Sequence, residues 1–231
     1  PLDGAPWSGG EPAGPARPWD ALDLLPPVPP GGKVLCIGRN YLAHAKELGN
    51  EVPAEPLVFL KPSTSLLPHG GTVLLPPESS RVDFEGELAL VIGRRARRVS
   101  REDFADVVFG VTPAFDISAR DLQKKDGQWW RAKGFDTFCP VGPVVAAGFD
   151  ASDVRLRTFL DGEARQDART SRMIFDLPTL VSWVSQAMTL EPGDLLLTGT
   201  PEGVGPLADG QLLELEIEGL ERLSVRVASE R

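Results

Sequence analysis

The chain has 231 residues, among them 24 glycines and 22 prolines, and its 24 basic and 33 acidic side chains give a net charge of −9. So many helix-breaking residues exclude a helical bundle and predict short strands joined by tight turns. The acidic balance excludes a general nucleic-acid-binding protein, which needs a basic face, and no apolar run reaches the roughly 18 residues of a membrane span.

The first 32 residues are rich in proline and glycine, and we predict turns and extended chain there rather than a core-forming unit. The composition changes at Lys33, so residues 33–231 are predicted to form one domain. The only cysteines, Cys36 and Cys139, lie in apolar runs and are expected to be buried thiols. Because the start has no basic-then-apolar signal pattern, we expect a cytoplasmic protein.

The first half of the domain predicts buried strands, most of them ended by glycine or proline. A short helix is predicted after the first strand, beginning at Asn40 or Tyr41 and running through Leu48. The strand segments are VLCIG, LVFLK, VDFEGELALVIG and the apolar run that ends at Asp116.

The second half contains a hairpin signal and one long helix. Asp161 and Gly162, between two extended segments, predict a tight turn. Asp176 is a good N-cap with Pro178 in the first turn, and apolar residues follow at helical spacing to Met188. A strand then runs into a Gly-rich turn, and two alternating strands close the chain. One main helix with about ten strands predicts a mainly β (α+β) domain with a sandwich or barrel-like core.

Two glutamates in the segment VDFEGELALVIG share one side of the predicted strand. Glu85 and Glu87 are followed on that side by Ala89 and Val91, which look buried. Two carboxylates in an apolar region repel each other and lose hydration unless a cation compensates. The commoner interpretation of such a pair is the solvated face of an amphipathic strand, which is what we expect for the alternating glutamates of 214–218.

Asp116 ends a long apolar run, where an acid either caps a turn or belongs to a site. Together with Glu85 and Glu87 it would form an all-oxygen site, and hard oxygen ligands favour Mg²⁺, Mn²⁺ or Ca²⁺ over zinc. With only two histidines in the chain, a zinc or iron site built from several histidines is excluded.

His44 and Glu47 are three residues apart and share one face of the predicted short helix. A glutamate that accepts a hydrogen bond from one imidazole nitrogen leaves the other free to take a proton from water. The alternative is a surface His–Glu pair.

Lys133 is flanked by aromatic residues, and a lysine in such a setting could stabilise a developing enolate or hold a substrate carboxylate. The alternative is a surface lysine whose stem covers apolar neighbours. We expect Trp129 and Trp130 to belong to the core rather than to a stacking platform. The Gly-rich turn at 198–205 lacks the ending of a phosphate loop but could present N–H groups and a hydroxyl to a carboxylate.

Seven segments, in order from about Lys33 to Val227, resemble the fumarylacetoacetate hydrolase family. The likeness is to small single-domain members that act on acylpyruvates and oxaloacetate, and to isomerases and decarboxylases of homoprotocatechuate breakdown. The segments are CIGRNYLAHAKELG, EPLVFLKPSTS, VDFEGELALVIGR, FDISARDLQ, WWRAKGFDTFCPVGP, the SRMIF stretch and LEPGDLLLTGTPEGVGP.

The resemblance implies a mixed β-sandwich or roll of the family's own type, with a short lid helix, and usually a homodimer. It implies bound Mg²⁺ or Mn²⁺, with Ca²⁺ a further option in a crystal, and a small 2-oxo or dicarboxylic acid as substrate. The metal ligands it implies are Glu85, Glu87 and Asp116. The catalytic residues it implies are His44, Glu47 and Lys133, with substrate contacts from Arg39, Gln123 and Thr200.

The implied activity is metal-dependent cleavage of a C–C bond in a small 2-oxo or β-keto acid, through a metal-stabilised enolate. Hydrolysis of an acylpyruvate and decarboxylation of an oxaloacetate-type substrate both fit, and one alternative is an isomerase or decarboxylase of 2-hydroxyhepta-2,4-diene-1,7-dioate-type intermediates. A third hypothesis, from another class, is a non-catalytic β domain in which Ca²⁺ is structural. No nucleic acid or membrane is expected as a partner.

Overall fold

The computed structural model describes residues 5–10, 22–29, 31–47, 49 and 52–230. The strands are β1 (Val34–Gly38), β2 (Leu57–Lys61), β3 (Leu66–Pro68), β4 (Thr72–Leu75), β5 (Val82–Phe84), β6 (Gly86–Ile92), β7 (Val108–Phe115), β8 (Ser118–Ala119), β9 (Cys139–Val141), β10 (Ala146–Ala147), β11 (Arg155–Leu160), β12 (Glu163–Arg169), β13 (Leu195–Leu197), β14 (Gly205–Pro206), β15 (Leu212–Ile217) and β16 (Leu223–Ser229). The helices are α1 (Leu42–Glu47), α2 (Phe104–Val107), α3 (Arg120–Lys125), α4 (Trp130–Gly134) and α5 (Leu177–Ala187).

The strands form three sheets. An eight-stranded sheet has the order β2-β1-β13-β6-β7-β9-β3, with β10 paired to β7, and a five-stranded sheet has the order β12-β11-β15-β16-β4. A small third sheet has the order β14-β5-β8. The predicted mainly β (α+β) class is therefore confirmed. The described strands outnumber the predicted ten because several pair over only two or three residues.

Alternate residues of the central strand β6 feed two hydrophobic cores, as the period of a strand requires. Leu88 and Leu90 point into the main core, which includes Leu213 and Leu215 of the five-stranded sheet and the apolar face of α5. Ala89 and Val91 belong to a second core on the opposite face of the eight-stranded sheet. Because β6 is covered on both faces, polar side chains at its N-terminal end are enclosed by protein.

Two local predictions are confirmed by the backbone. Asp176 caps α5, and its carboxylate accepts a hydrogen bond from the Thr179 N–H at 3.0 Å. Asp161 and Gly162 both have positive φ, 52° and 81°, and join β11 to β12 in an antiparallel hairpin. Both features depend on side chains within a few residues of the feature itself.

The predicted long strand over VDFEGELALVIG breaks at Glu85. β5 joins the small sheet and β6 joins the eight-stranded sheet, so the chain changes sheets at this residue. The break lies next to Gly86, where a Cβ atom would come 2.2 Å from the Thr158 hydroxyl oxygen of β11. Only glycine permits this close approach between the two larger sheets.

The N-terminal segment is described only in part. Within it, Val28 is buried against the second core, and Trp7 packs edge-on against Phe109 with ring centroids 6.1 Å apart. The division of the chain at residues 32 and 33 stays a prediction. Leu48, the predicted end of the short helix, lies outside the described residues.

Two further observations bear on the expectations from composition. Both cysteines are buried and unpaired, as predicted. In the part of the chain that the structure describes, no helix is long and apolar enough to cross a membrane.

Candidate active site and metal centre

Three buried carboxylates meet where the two longest central strands begin and end. Glu85 lies at the corner between β5 and β6, Glu87 is the second residue of β6, and Asp116 follows β7 directly. The pairing of Gly86 with Phe115 sets this register, and the Asp116 N–H donates to the Glu85 carbonyl at 2.9 Å. One oxygen from each carboxylate lies within 4.8 Å of the others, and all three residues are at most 5% exposed. The solvated-face interpretation of Glu85 and Glu87 is therefore excluded.

Three cationic side chains surround two of these carboxylates. The Lys133 ammonium lies between them, 2.8 Å from Glu85 Oε2 and 2.6 Å from Asp116 Oδ2. Arg120 binds the other oxygen of Glu85, and Lys61 binds the other oxygen of Asp116. Lys133 is 2% exposed, so it is not the surface lysine of the alternative interpretation.

Sequence reasoning did not single out Lys61 or Arg120. Lys61 ends the apolar strand LVFLK, and its ammonium is fully enclosed among Asp116 and two main-chain carbonyls. Arg120 begins α3 and also binds Asp83 at 2.9 Å. The sequence does contain a signal for each of them. Lys61 is a cationic residue at the end of an apolar strand, and Arg120 lies in the family-like segment FDISARDLQ.

The cations decide which groups are charged. Burial favours the neutral form of Glu85, but Arg120 and Lys133 outweigh it and hold the pKa of Glu85 below its usual range. Burial likewise opposes the charge of Lys133, but Asp116 and Glu85 outweigh it and raise the pKa of Lys133. These groups therefore form a charged, mutually compensated cluster inside the protein.

Glu87 differs from its neighbours. Burial, together with the nearby carboxylates of Asp116 and Glu85, raises the pKa of Glu87 well above its usual value. Its Oε2 accepts a hydrogen bond from the Gly199 N–H at 2.6 Å, and no ion pair to Glu87 occurs among the residues that the structure describes. One acid of the three is thus left without a positive partner.

The donor set fits a hard divalent cation. All three groups offer carboxylate oxygens, which are the ligands that Mg²⁺, Mn²⁺ and Ca²⁺ prefer. The oxygens of Glu85 and Asp116 that bind cationic side chains each keep a second lone pair. Glu87 has no ion-pair partner among the described residues, and once it loses its proton it adds negative charge to the site. The buried triad could therefore hold a divalent metal ion.

A cavity of about 300 Å³ opens onto this cluster. It is lined by all three residues predicted to contact the substrate, and by the histidine and the lysine predicted to be catalytic. These lining residues are Arg39, His44, Gln123, Lys133 and Thr200. The cavity is also lined by residues for which the sequence predicted no role in the site, among them Phe59, Arg120, Lys124 and Trp129. Asp116 lies behind Lys133 rather than in the described lining.

The short helix α1 contributes His44 to the lining of the cavity. His44 is 4% exposed, and its Nδ1 lies 3.3 Å from Glu47 Oε2. The other oxygen of Glu47 accepts the Gly203 N–H at 3.0 Å, so the dyad joins the helix to the Gly-rich turn. His44 is therefore enclosed against the cavity instead of forming the surface pair that was the alternative.

The three expected substrate contacts come from different elements. Arg39 follows β1 with a positive φ of 60°, and Gln123 on α3 accepts a hydrogen bond from Arg120 at 2.9 Å. Thr200 lies in the Gly-rich turn, and its hydroxyl donates to the Gly86 carbonyl at 2.9 Å. The structure thus brings these residues to one cavity with the triad, and their roles stay predictions.

The expectation that both neighbouring tryptophans belong to the core is wrong for Trp130, which is 72% exposed. Trp129 is half-buried, lines the cavity and packs edge-on against Phe59 with ring centroids 5.4 Å apart. Trp129 precedes α4 and faces the site, whereas Trp130, the first residue of α4, faces solvent. Periodicity within this short aromatic segment did not distinguish the two.

Comparisons with known proteins agree with the site. The profile of the fumarylacetoacetate (FAA) hydrolase C-terminal domain matches residues 33–228. An oxaloacetate tautomerase of Arabidopsis thaliana mitochondria is 47% identical over 203 residues, which are 85% of this chain and 91% of that protein. The mitochondrial oxaloacetate decarboxylase of Dictyostelium discoideum is 45% identical over 198 residues, which are 83% of this chain and 91% of that protein.

Solved structures give the same result. The crystal structure of 2-hydroxyhepta-2,4-diene-1,7-dioate isomerase from Mycobacterium marinum superposes with a TM-score of 0.92 and is 44% identical, covering 99% of this chain and 86% of that one. The resemblance stated from the sequence motifs is confirmed, since the family profile spans the whole predicted domain apart from its last residues. The chain belongs to the fumarylacetoacetate hydrolase family.

Proposed function

We propose that this protein cleaves a C–C bond in a small 2-oxo or β-keto acid, by acylpyruvate hydrolysis or by oxaloacetate-type decarboxylation. The observation that carries the proposal is the buried carboxylate triad bridged by Lys133 in the same cavity as His44 and Glu47. Mg²⁺ or Mn²⁺, held by Glu85, Glu87 and Asp116, is the cofactor of this proposal.

The cavity suits a small anionic acid. Its volume of about 300 Å³ admits only a small substrate, and its lining includes the cations Arg39, Arg120, Lys124 and Lys133. A bound divalent cation supplies a Lewis acid that lowers the energy of negative charge on the oxygens of a 2-oxo acid. Lys133 adds positive charge beside the same carboxylates, where an oxyanion would grow.

Hydrolysis requires a base for water, and the dyad on α1 provides one. Glu47 accepts the hydrogen on Nδ1 of His44, which leaves Nε2 free to take a proton from a water molecule in the cavity. The activated water then attacks the distal carbonyl carbon, and the C–C bond to the pyruvate part breaks. The products are a carboxylic acid and the enolate of pyruvate, which takes up a proton on carbon. Decarboxylation produces the same enolate as CO₂ leaves and needs no attack by water, so His44 matters less for that reaction.

Isomerisation is the second candidate, because an enolate protonated at a different carbon gives an isomer rather than cleavage products. The relatives favour keeping it: one is named an oxaloacetate tautomerase and the superposed structure a dienedioate isomerase. A non-catalytic domain with structural Ca²⁺ is the remaining alternative. A homodimer and a cytoplasmic location stay predictions, and the mass of the protein in solution tests the former.

The test is a substrate panel with purified protein and Mg²⁺, covering acetylpyruvate, fumarylpyruvate, oxaloacetate and a 2-hydroxy-dienedioate. We expect turnover of at least one of them, its loss in EDTA and its return with added Mg²⁺ or Mn²⁺. Asp116→Asn is expected to abolish turnover, while the matched control Glu221→Gln, at an exposed site, keeps it.

Two outcomes would refute the proposal. Undiminished turnover in EDTA removes the metal from the reaction. Binding of a divalent ion without turnover of any substrate in the panel favours the structural Ca²⁺ alternative instead.

A further inference from the structure

Gln166 lies on β12 in the five-stranded sheet and is 1% exposed. Its side chain uses all four of its hydrogen-bonding positions. Oε1 accepts from the Gly86 N–H at 3.0 Å and from the Thr158 hydroxyl at 2.7 Å. Nε2 donates to the Thr200 hydroxyl oxygen and to the Pro201 carbonyl, both at 2.8 Å. A fully satisfied buried amide of this kind has a single defined orientation.

The partners leave no choice in the direction of these bonds. The Gly86 N–H can only donate and the Pro201 carbonyl can only accept, which fixes the oxygen and nitrogen of the amide. Thr200 therefore accepts from Gln166, and its own hydrogen goes to the Gly86 carbonyl at 2.9 Å. The Thr200 hydroxyl has no hydrogen left for a ligand. Any bond between this side chain and a ligand is one that Thr200 accepts, as it would from the hydroxyl of an enol.

Gln166 connects two parts of the site without lining the cavity in the described part of the chain. Gly86 lies between the two glutamates of the carboxylate triad, and Thr200 belongs to the Gly-rich turn on the substrate side. The turn is also held directly against β12, because a Cβ atom at Gly203 would come 2.0 Å from the Arg165 carbonyl oxygen. The second sheet thus supports both sides of the site through one side chain.

We propose that Gln166 is a positioning residue for the reaction of this site. Its amide holds Gly86, at the start of β6, and Thr200, in the Gly-rich turn, at a fixed distance from each other. It also fixes the orientation of the Thr200 hydroxyl, whose hydrogen goes to the Gly86 carbonyl. The kinetic part of the test rests on the proposed reaction, whereas the metal-binding part rests only on the carboxylate triad as a metal site.

The kinetic test is a double-mutant cycle of Gln166→Met and Thr200→Val. We expect Gln166→Met to lower kcat/KM by tenfold or more, since small misplacements behind a site can cost about 10²-fold. If Gln166 acts through Thr200, the double variant loses no more than about twofold beyond the worse single variant. Losses that multiply in the double variant would overturn the proposal.

The matched control for lost stability is Thr170→Val. Thr170 is buried four residues beyond Gln166, and its hydroxyl makes two main-chain hydrogen bonds away from the cavity. We expect this variant to melt at a lower temperature with unchanged kcat and KM. If it loses activity as Gln166→Met does, the effect of Gln166 is only structural.

The second measurement is Mn²⁺ affinity by calorimetry, which needs no turnover. Freeing the Gly86 corner in Gln166→Met is expected to weaken Mn²⁺ binding about tenfold or more, by analogy with supporting residues at other metal sites, and Thr170→Val is expected to leave it unchanged. Unchanged affinity in Gln166→Met refutes the positioning role. A wild type that binds Mn²⁺ but turns over no substrate refutes the proposed function alone. If Gln166→Met does not fold, Gln166→Asn replaces it in both measurements. The asparagine side chain is too short to reach both Gly86 and Thr200, so the same results are expected.

Discussion

Glu85 and Glu87 are two residues apart and both buried, yet we expect glutamine at the two positions to have different effects on the metal-free protein. Glu85→Gln removes one of the two carboxylates that each of the buried cations Arg120 and Lys133 binds. Breaking a buried pair from one side costs about 3–5 kcal/mol. At roughly 2–4 °C per kcal/mol for a chain of this size, its Tm should fall by about 6–20 °C.

Glu87 gives the opposite expectation. Because its pKa is raised, the neutral acid is favoured in the metal-free protein, and glutamine reproduces that form and can still accept the Gly199 N–H. We expect Glu87→Gln to change the free energy of unfolding by no more than about 1 kcal/mol near pH 6.

The pH dependence follows from the same shift. An acid whose pKa is raised in the folded state contributes stability below its ordinary pKa, and this contribution is lost as the pH rises toward the raised value. Metal-free wild type should therefore lose stability with rising pH relative to Glu87→Gln, so the difference between the two Tm values should grow in favour of the variant.

The assay is thermal unfolding in EDTA at several pH values from 5 to 8, with Glu221→Gln as the exposed control. Repeating the assay with Mg²⁺ checks the role of the triad, because a ligand that binds only the folded state raises Tm. Mg²⁺ should raise the Tm of the wild type more than that of either variant. Equal Tm losses for Glu85→Gln and Glu87→Gln in EDTA would refute the reasoning, since they would mean that the cations do not distinguish the two acids.

Three further predictions concern the same cluster. Lys61→Met should lower the free energy of unfolding by about 3 kcal/mol or more, measured by urea unfolding, because its fully buried ammonium pairs with Asp116. The control Arg155→Met, which breaks an exposed pair, should have a much smaller effect, and equal losses in the two variants would contradict this expectation. His44→Ala should reduce acylpyruvate hydrolysis by about 10²-fold or more but oxaloacetate decarboxylation much less, and equal losses in the two assays would remove the role as base for water. Mg²⁺ affinity should rise with pH, by up to about tenfold per pH unit below the raised pKa of Glu87, because that carboxyl group must lose its proton to bind the ion. Calorimetry in buffers of different ionisation enthalpy measures the released proton. A Mg²⁺ affinity that does not change with pH would count against this coupling.

The features predicted correctly from sequence have causes that lie within a few residues. The cap at Asp176 and the hairpin at Asp161 and Gly162 require only their neighbours. The break at Glu85 was not predicted. It lies next to Gly86, which passes close to Thr158, a residue on another sheet and far along the chain. A strand pattern records which side chains are apolar, but it does not record which backbone must pass close to another sheet.

The residues of the site show the same difference between local and long-range causes. Its acids were recognisable because charged residues interrupt apolar runs, and the family motifs then selected one interpretation. Lys61 and Arg120 were missed because each has an ordinary local explanation, as the end of a strand and the beginning of a helix. Their partners lie 55 and 35 residues away, so only the folded chain reveals the pairs.

The charges of the site follow from this long-range pairing rather than from residue type. Glu85 and Glu87 are chemically identical, and a strand pattern alone would give them the same role. Among the described residues, two cations form ion pairs with the first, whereas the second accepts a main-chain N–H and forms no ion pair, so one is held ionised and the other favours its proton. A divalent cation that binds all three carboxylates would supply the positive charge that lets this acid lose its proton. The protein's own cations and the proposed metal are therefore complementary parts of one charge balance.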